Sequence, residues 1–359
     1  MSGVNFRCAA ALTLLACSSL LAACGGGSGN DAPTPNLSSS GGSPGASSSS
    51  SSGNSSSSGS SSGASSSSSS SSSSGSDTVS GLNPTPGTVA FAKILNVDGQ
   101  SRQVLYIRPA TATIANPPVL LMLTYPEGTP AYMANLTRAG RIAASYGAWV
   151  IIPAAGTGGK WSDNPADPSQ TTDDVKFLAM VIDDAASSYN IDRTRVYATG
   201  YSNSAFMVER VNCDRADLLA GAALIAATER DAEVPLCKPS RPVPAVFFLG
   251  TSDLVVPYNG LPTILIGAQQ AYDNWQGYNG CSGSGTSSKL ATTANDGTSV
   301  QLLLNTACSA GSAVALYTIN GGGHTWPGNQ MGLIDALYLG PTTQNLDATL
   351  ALWQFFTPR

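Results

Sequence analysis

A serine in the middle of the chain has the surroundings of a catalytic nucleophile. The segment 196–207 (VYATGYSNSAFM) reads as a strand, a tight turn and the start of a helix, with Ser202 at the apex of the turn. A nucleophile at such a turn has a strained backbone, and the residues two before and two after it must be small. Gly200 and Ser204 meet this requirement, although glycine is more usual at the second position. The pattern, weak without its strand and helix, predicts Ser202 as a nucleophile.

A serine nucleophile needs a base, and the chain contains a single histidine, His324. It lies in the glycine-rich segment 321–328, directly after the apolar run 313–319, which predicts the last strand. A lone histidine is usually a core or surface residue without a chemical role. The glycine-rich loop after the final strand favours a functional role here. If Ser202 is the nucleophile, His324 must be the base, because no other imidazole exists.

The third group of such a triad is a carboxylate that orients the imidazole. Asp253 comes just past the apolar run 243–249, and it lies between Ser202 and His324 in the chain. The other acidic candidates are Asp273, Asp296 and Asp335. None of these directly follows a predicted buried strand, so Asp253 is the predicted third member, and its alternative role is that of a turn-forming residue.

The tetrahedral oxyanion of acyl transfer needs backbone donors. The N–H of Asn203, beside the nucleophile, is the first expected donor. The second should come from the loop after the apolar run 118–123, where Pro126 has no N–H to offer. We expect Tyr125 to supply it, with Glu127 as the alternative. This chemistry needs no metal ion and no organic cofactor.

Apolar runs of strand length alternate with helical patterns from residue 89 onward. Continuous apolar runs such as 118–123 are typical of strands that are buried on both faces. The predicted strands are 104–107, 118–123, 149–152, 195–198, 243–249 and 313–319. Helices are predicted over 134–146 and 173–189 and after Ser202. The alternation predicts an α/β protein with a mostly parallel central sheet and helices on both faces.

Several longer segments resemble one known family. They are DDVKFLAMVIDDAASSYNIDRTRVYATGYSNSAFM, PSRPVPAVFFLGTSDLVVPYNG, GGGHTWPG and DATLALWQFF. From about residue 104 to the C-terminus, the chain is similar to the secreted esterases that include polyhydroxybutyrate depolymerases, feruloyl esterases and acetyl xylan esterases. The resemblance implies an α/β-hydrolase fold, and the chain order serine, aspartate, histidine is the order of that fold.

The resemblance also implies which residues have which role. The triad would be Ser202, Asp253 and His324, forming an acyl-enzyme that water hydrolyses. The implied disulfides are Cys213–Cys237 and Cys281–Cys308. The chain departs from the family at 123–128, where a His-Gly pair usually helps to build the oxyanion hole, and at Leu249, where the family tends to have histidine.

The N-terminus predicts export with a lipid anchor. Arg7 and the apolar residues 8–22 form a signal peptide, and Leu21-Ala22-Ala23-Cys24 resembles a bacterial lipobox. The predicted lipidation site is Cys24, and an ordinary cleaved signal is the alternative. By resemblance to the bacterial sorting rule, Gly25 favours the outer membrane over the inner, with the cell surface or release from the cell left open.

Cysteine usage agrees with export. Two of the seven cysteines lie in the predicted signal and one is the predicted anchor. The four that remain, an even number, favour disulfides in an oxidising compartment. No CxxC pair exists and only one histidine is present, so a zinc site is not expected.

The composition divides the chain into three parts. Residues 1–23 are the predicted lipoprotein signal peptide. Residues 24–81 are rich in glycine and serine and have almost no apolar residues, which predicts a disordered linker between the lipid and the body. Residues 82–359 are the predicted catalytic domain.

Charge and composition limit the partners. The net charge is −5 and only 11% of the residues are charged, so no basic surface for nucleic acid is expected. The expected partner is an ester substrate, either a small ester or a polymer such as a polyester or an esterified plant polysaccharide. Contact with the membrane is expected through the N-terminal lipid only. Two alternatives stay open: a non-catalytic, lipid-anchored binding protein on the same fold, and a serine peptidase.

Overall fold

The computed structural model describes residues 79–156, 158–329 and 337–358. The predicted signal peptide, the lipidation site Cys24 and the linker up to residue 78 lie outside the described residues, as does Asp335. Within the described part, no helix has both the length and the apolar character that crossing a bilayer requires.

Ten strands form one sheet in the described part of the chain. They are β1 (Thr88–Val97), β2 (Gln100–Pro109), β3 (Val119–Met122), β4 (Trp149–Pro153), β5 (Val196–Tyr201), β6 (Gly221–Ile225), β7 (Ala245–Gly250), β8 (Thr286–Lys289), β9 (Ser299–Asn305) and β10 (Val314–Asn320). Their order is β1-β2-β4-β3-β5-β6-β7-β10-β9-β8. The six strands from β4 to β10 in this order are parallel, and an antiparallel pair flanks them at each edge.

Six helices whose full extent lies within the described residues pack on the two faces of this sheet. They are α1 (Pro130–Thr137), α2 (Gly140–Tyr146), α3 (Asp174–Tyr189), α4 (Asn203–Asp214), α5 (Ala268–Tyr278) and α6 (Ala348–Phe356). One core contains side chains of α3, α4 and α5, and the other contains side chains of α1, α2 and α6. Strand β3 contributes Leu121 to the first core and Leu120 to the second, as expected for a strand covered on both faces. The arrangement confirms the predicted fold class, an α/β-hydrolase fold.

One predicted helix is divided in two. The segment 134–146 was expected to be a single helix, but α1 ends at Thr137 and Arg138 adopts the left-handed conformation, with φ 53°. Thr129 caps the start of α1 by accepting a hydrogen bond from the N–H of Tyr132, so this helix begins earlier than expected.

The structure contains both disulfides that the family resemblance implied. Cys213–Cys237 ties the end of α4 to the segment before β7. Cys281–Cys308 joins the segment after α5 to the segment after β9. Both therefore brace connections that surround the parallel core.

Candidate active site

Ser202 lies at a strained turn between β5 and α4. Its φ of 57° and ψ of −126° fall in a region that non-glycine residues rarely occupy, at a cost of about 1–3 kcal/mol. A side chain at position 200 would be impossible, because a Cβ there would lie 2.3 Å from the carbonyl oxygen of Ser204. The structure thus gives Ser202 the nucleophile-elbow backbone that the sequence predicted.

The side chain of Ser204 makes hydrogen bonds at this turn that glycine could not make. Its side chain is fully buried, and its Oγ accepts a hydrogen bond from the N–H of Tyr201 at 2.8 Å. The hydroxyl can donate to the carbonyl of Tyr201 at 2.9 Å or of Leu123 at 3.3 Å. Ser204 therefore closes the turn around Ser202 through its bonds to Tyr201, and it links this turn to Leu123 at the end of β3.

The side chains of Asp253 and His324 form a buried pair. Oδ2 of Asp253 lies 2.8 Å from Nδ1 of His324, and each residue is 4% exposed. The other carboxylate oxygen, Oδ1, accepts hydrogen bonds from the N–H groups of Val255 and Val256, both at 2.8 Å. An ionised carboxylate only accepts, so Nδ1 carries the proton and Nε2 is left as the basic nitrogen.

The three predicted triad residues lie at one edge of the sheet. They follow β5, β7 and β10, which are parallel strands, and the carboxyl ends of parallel strands meet at the same edge. The hydroxyl of Tyr201, the residue before Ser202, donates to the carbonyl oxygen of His324 at 2.6 Å. The structure thus pairs Asp253 with His324 and anchors the backbone of His324 to the residue next to Ser202.

The alternative acidic candidates are placed elsewhere. Asp273 is an exposed residue of α5 that accepts hydrogen bonds from Gln269 and Gln276. Asp296 accepts from the N–H of Thr298 and belongs to a turn before β9. Neither contacts the imidazole.

The two predicted oxyanion donors lie close to the elbow. Asn203 is the first residue of α4, and no described residue accepts a hydrogen bond from its backbone N–H. The ring of Tyr125 packs 6.1 Å from the ring of Tyr201. The alternative donor, the N–H of Glu127, is already bound to the carbonyl of Gly159 at 2.7 Å. This argues against Glu127 as the donor, and the role of Tyr125 stays a prediction.

Trp161 links the loop after β3 to the start of α4. Its indole Nε1 donates to the carbonyl of Thr124 at 2.7 Å, and its backbone N–H donates to Oδ1 of Asn203 at 3.1 Å. The side chain is only 1% exposed, so it supports the loop from beneath. Trp161 is therefore part of the core.

A buried ion pair lies beneath the same loop. Arg102 on β2 donates to Asp174 at the start of α3 at 2.7 Å, and it also donates to the carbonyl of Ala154. Asp174 accepts in turn from the N–H of Ser162 at 2.7 Å. The pair links β2, the end of β4 and the loop that carries Trp161.

Two acidic side chains that the sequence did not single out are buried together beside α4. Glu209 of α4 and Glu229 after β6 are 5% and 1% exposed, and their carboxyl groups are close enough for the charge of Glu229 to raise the pKa of Glu209. Burial raises the pKa of Glu209 well above its usual range, and the nearby Glu229 and Glu233 add to the rise. Burial raises the pKa of Glu229 to about 7, although hydrogen bonds led by that from Asn274 oppose the rise. Burial therefore favours the protonated form of both carboxyl groups.

In the described part of the chain, no cluster of three histidine, cysteine, aspartate or glutamate side chains is arranged to hold a metal ion. The groups present at this edge are a serine with a strained backbone, a buried histidine–carboxylate pair and backbone N–H groups.

Comparison with known proteins gives esterases, although no protein-family model matches the chain. It is 33% identical over 185 residues to feruloyl esterase B from Piromyces equi, covering 49% of this chain and 33% of that protein. It is 24% identical over 265 residues to the putative esterase NocK from Nocardia uniformis subsp. tsuyamanensis, covering 68% and 76%. It is 29% identical over 160 residues to a bifunctional acetylxylan esterase/xylanase from Neocallimastix patriciarum, covering 45% and 22%. The chain thus spans a third or less of the length of two of these relatives.

Among solved structures, the acetyl xylan esterase from Aspergillus awamori matches with a TM-score of 0.48 and 15% identity, over 70% of this chain and 99% of that one. A thermostable esterase matches with a TM-score of 0.41 and 19% identity, over 54% and 52%.

Proposed function

We propose that this chain, which has the α/β-hydrolase fold and is related in sequence to esterases, is a serine carboxylic-ester hydrolase that works through an acyl-enzyme. The observation that carries the proposal is the buried Asp253–His324 hydrogen bond, anchored next to the strained Ser202. Nucleophile, base and orienting carboxylate follow three parallel strands at one edge of the sheet.

The proposed reaction has two halves. His324 Nε2 takes the proton of Ser202 as Oγ attacks the ester carbonyl, and the resulting imidazolium is stabilised by Asp253. The N–H groups of Asn203 and Tyr125 bind the oxyanion, which collapses to the acyl-enzyme as His324 protonates the leaving alcohol. Water, activated by the same imidazole, then attacks the acyl-enzyme, releases the acid and restores Ser202.

The backbone strain at Ser202 supports this assignment. Glycine adopts positive φ readily and would relieve the strain at this turn. The chain instead keeps serine at the strained position and glycine at position 200, where the helix backbone leaves no room for a side chain. Strain of this kind is typical of functional sites.

For the substrate, we propose an ester of the kind that feruloyl or acetyl xylan esterases cleave, with a polyhydroxybutyrate-type polyester as the second candidate. The names of the curated relatives favour the first class. Initial rates on methyl ferulate, acetylated xylan, short polyhydroxybutyrate and p-nitrophenyl acyl esters test this. A kcat/KM at least ten times higher on the polyester than on both of the others would reverse the order.

The role of Asp253 is tested by a matched pair of variants. Asp253→Asn keeps the shape of the side chain but favours the wrong imidazole tautomer, so kcat should fall by about 10³–10⁴-fold. Asp273→Asn removes an exposed carboxylate of α5 and should leave kcat unchanged. An equal effect of the two substitutions would remove Asp253 from the mechanism.

We further propose that the protein is exported as a lipoprotein, anchored at Cys24 and carried to the outer membrane or the cell surface, with the serine-rich segment as tether. The two disulfides of the described chain agree with an oxidising compartment. Mass spectrometry of the mature protein tests the anchor: we expect a diacylglyceryl group on an N-terminal Cys24. A mature protein with an unmodified Cys24 would contradict it.

A further inference from the structure

The loop that carries the only histidine of the chain has little stiffness of its own. It begins with three glycines, and Gly321 adopts a φ of 75°. Glycine has more backbone freedom than any other residue, so a run of three does not by itself hold the next residue in place. The position of His324 must therefore be fixed by contacts from outside the run.

Backbone hydrogen bonds hold His324 partly in place. The N–H of His324 donates to the carbonyl of Leu339 at 2.6 Å, and the N–H of Gly323 donates to the carbonyl of Pro341 at 2.8 Å. These two bonds tie the loop to a neighbouring connection. They do not tie it to β5, which carries the nucleophile.

Tyr201 supplies the link to β5. Its hydroxyl donates to the carbonyl oxygen of His324 at 2.6 Å, across 123 positions of sequence, and the two rings lie 5.2 Å apart with an angle of 37°. Tyr201 is 6% exposed, and its N–H is held by Ser204 Oγ. Because Tyr201 is buried and immediately precedes Ser202, its hydroxyl connects the loop of His324 to the strand that leads into the nucleophile.

We propose that Tyr201 is a positioning residue that fixes the separation of the nucleophile and the base through its hydrogen bond to the backbone of His324. This inference rests on the proposed serine mechanism and adds a residue to it. Tyr201 acts through His324 and does not transfer a proton itself. Loss of its hydroxyl should slow the proton transfer and leave substrate binding nearly unchanged.

The size of the effect follows from geometry. A misplacement of about 1 Å between reacting groups can lower the rate by about 10²-fold. The remaining backbone bonds of the loop and the bond from His324 to Asp253 would keep part of the geometry. We therefore expect kcat of Tyr201→Phe to fall by about 10–100-fold, with KM within about twofold of the wild-type value.

The chain offers a matched control on the same strand. Tyr197 is 7% exposed, packs on Phe356, and its hydroxyl has no hydrogen-bond partner among the described residues. Tyr197→Phe removes the same atom from the same strand without touching the loop of His324.

The experiment compares the full-length wild type, Tyr201→Phe, Tyr197→Phe and Ser202→Ala. Three quantities are measured: kcat and KM on p-nitrophenyl acetate, the rate constant of fluorophosphonate labelling, and the ¹H NMR signal of the proton between His324 and Asp253. We expect Tyr201→Phe to lose kcat and labelling rate by the same factor and to broaden the NMR signal. Tyr197→Phe should match the wild type in all three.

The outcomes separate the two proposals. If the wild type is labelled and Tyr201→Phe is labelled at the same rate, the positioning role is wrong and the serine mechanism stands. If the wild type is neither labelled nor active on any ester, the serine mechanism itself fails. If Tyr201→Phe has fewer active sites by burst titration but a normal rate per site, Tyr201 serves stability only, and the positioning role is overturned.

Discussion

The buried carboxyl pair predicts that the fold loses stability as the pH rises through neutrality. Glu209 and Glu229 have pKa values that burial raises in the folded chain, and that of Glu229 is about 7 against a usual value of 4.5. A group that binds its proton more tightly when folded contributes stability that is fully present below its unfolded pKa. That contribution is lost as the pH rises from about 4.5 through the folded pKa.

The magnitude follows from the shift at Glu229. One pKa unit corresponds to about 1.4 kcal/mol, so the rise from 4.5 to about 7 corresponds to a loss of about 3 kcal/mol for this residue alone. The surroundings explain why the charged form is disfavoured. Arg230 pairs with Asp163 and Glu233, and Glu229 accepts a hydrogen bond from the neutral amide of Asn274.

The assay is urea unfolding at pH 5 and pH 8 for the wild type, Glu229→Gln and Glu209→Gln. Between pH 5 and pH 8 the wild type should lose more free energy of unfolding than either glutamine variant. For Glu229→Gln the difference should be about 2.5 kcal/mol, since the unfolded carboxyl is already mostly ionised at pH 5. Asp273→Asn, which removes an exposed carboxylate, should keep the wild-type pH dependence. If Glu229→Gln has the same pH dependence as the wild type, burial does not raise the pKa of Glu229 and the argument fails.

Two further predictions concern stability. Arg102→Met should lower the free energy of unfolding by about 3–5 kcal/mol, because it leaves the fully buried carboxylate of Asp174 without its cation. Urea unfolding measures this loss. The control Lys176→Met breaks an exposed ion pair and should have little effect. The double variant Cys281→Ala/Cys308→Ala should lose about 3–4 kcal/mol, since that disulfide closes a loop with a separation of 27 residues. A loss below about 1 kcal/mol in either destabilising variant would contradict the corresponding argument.

The central strands could be predicted because burial on both faces leaves a clear pattern. Strands β3, β4, β7 and β10 are continuous apolar runs, and all four were expected close to their observed positions. Strand β8 (TSSK) has four exposed residues, so no apolar pattern marks it. Strand β6 (GAALI) is short and built largely from small residues, which favour no single secondary structure.

The break between α1 and α2 could not be predicted for a different reason. Apolar residues continue on both sides of it, with Met133 and Ala134 before and Ile142 and Ala143 after, and all four are buried in one core. Periodicity reports which residues face the core. It does not reveal that Arg138, between these residues, adopts the left-handed conformation that ends α1.

The triad candidates were within reach of the sequence because each sits beside a local signal. Ser202 lies at a strand-to-helix turn, Asp253 follows a buried strand, and His324 is the only histidine. The contacts between residues that are distant in sequence could not be predicted in this way. The bond from Tyr201 to His324 and the Glu209–Glu229 pair join segments whose proximity only the fold creates.

The most direct test of the account is to identify the residue that a fluorophosphonate modifies. The wild-type protein is labelled and digested, and the modified peptide is sequenced by mass spectrometry, with Ser202→Ala and the exposed-serine variant Ser287→Ala treated in parallel. The account predicts a single modified residue, Ser202, no labelling of Ser202→Ala, and normal labelling of Ser287→Ala. Ester hydrolysis that survives in Ser202→Ala, or a label on any other serine, would contradict it.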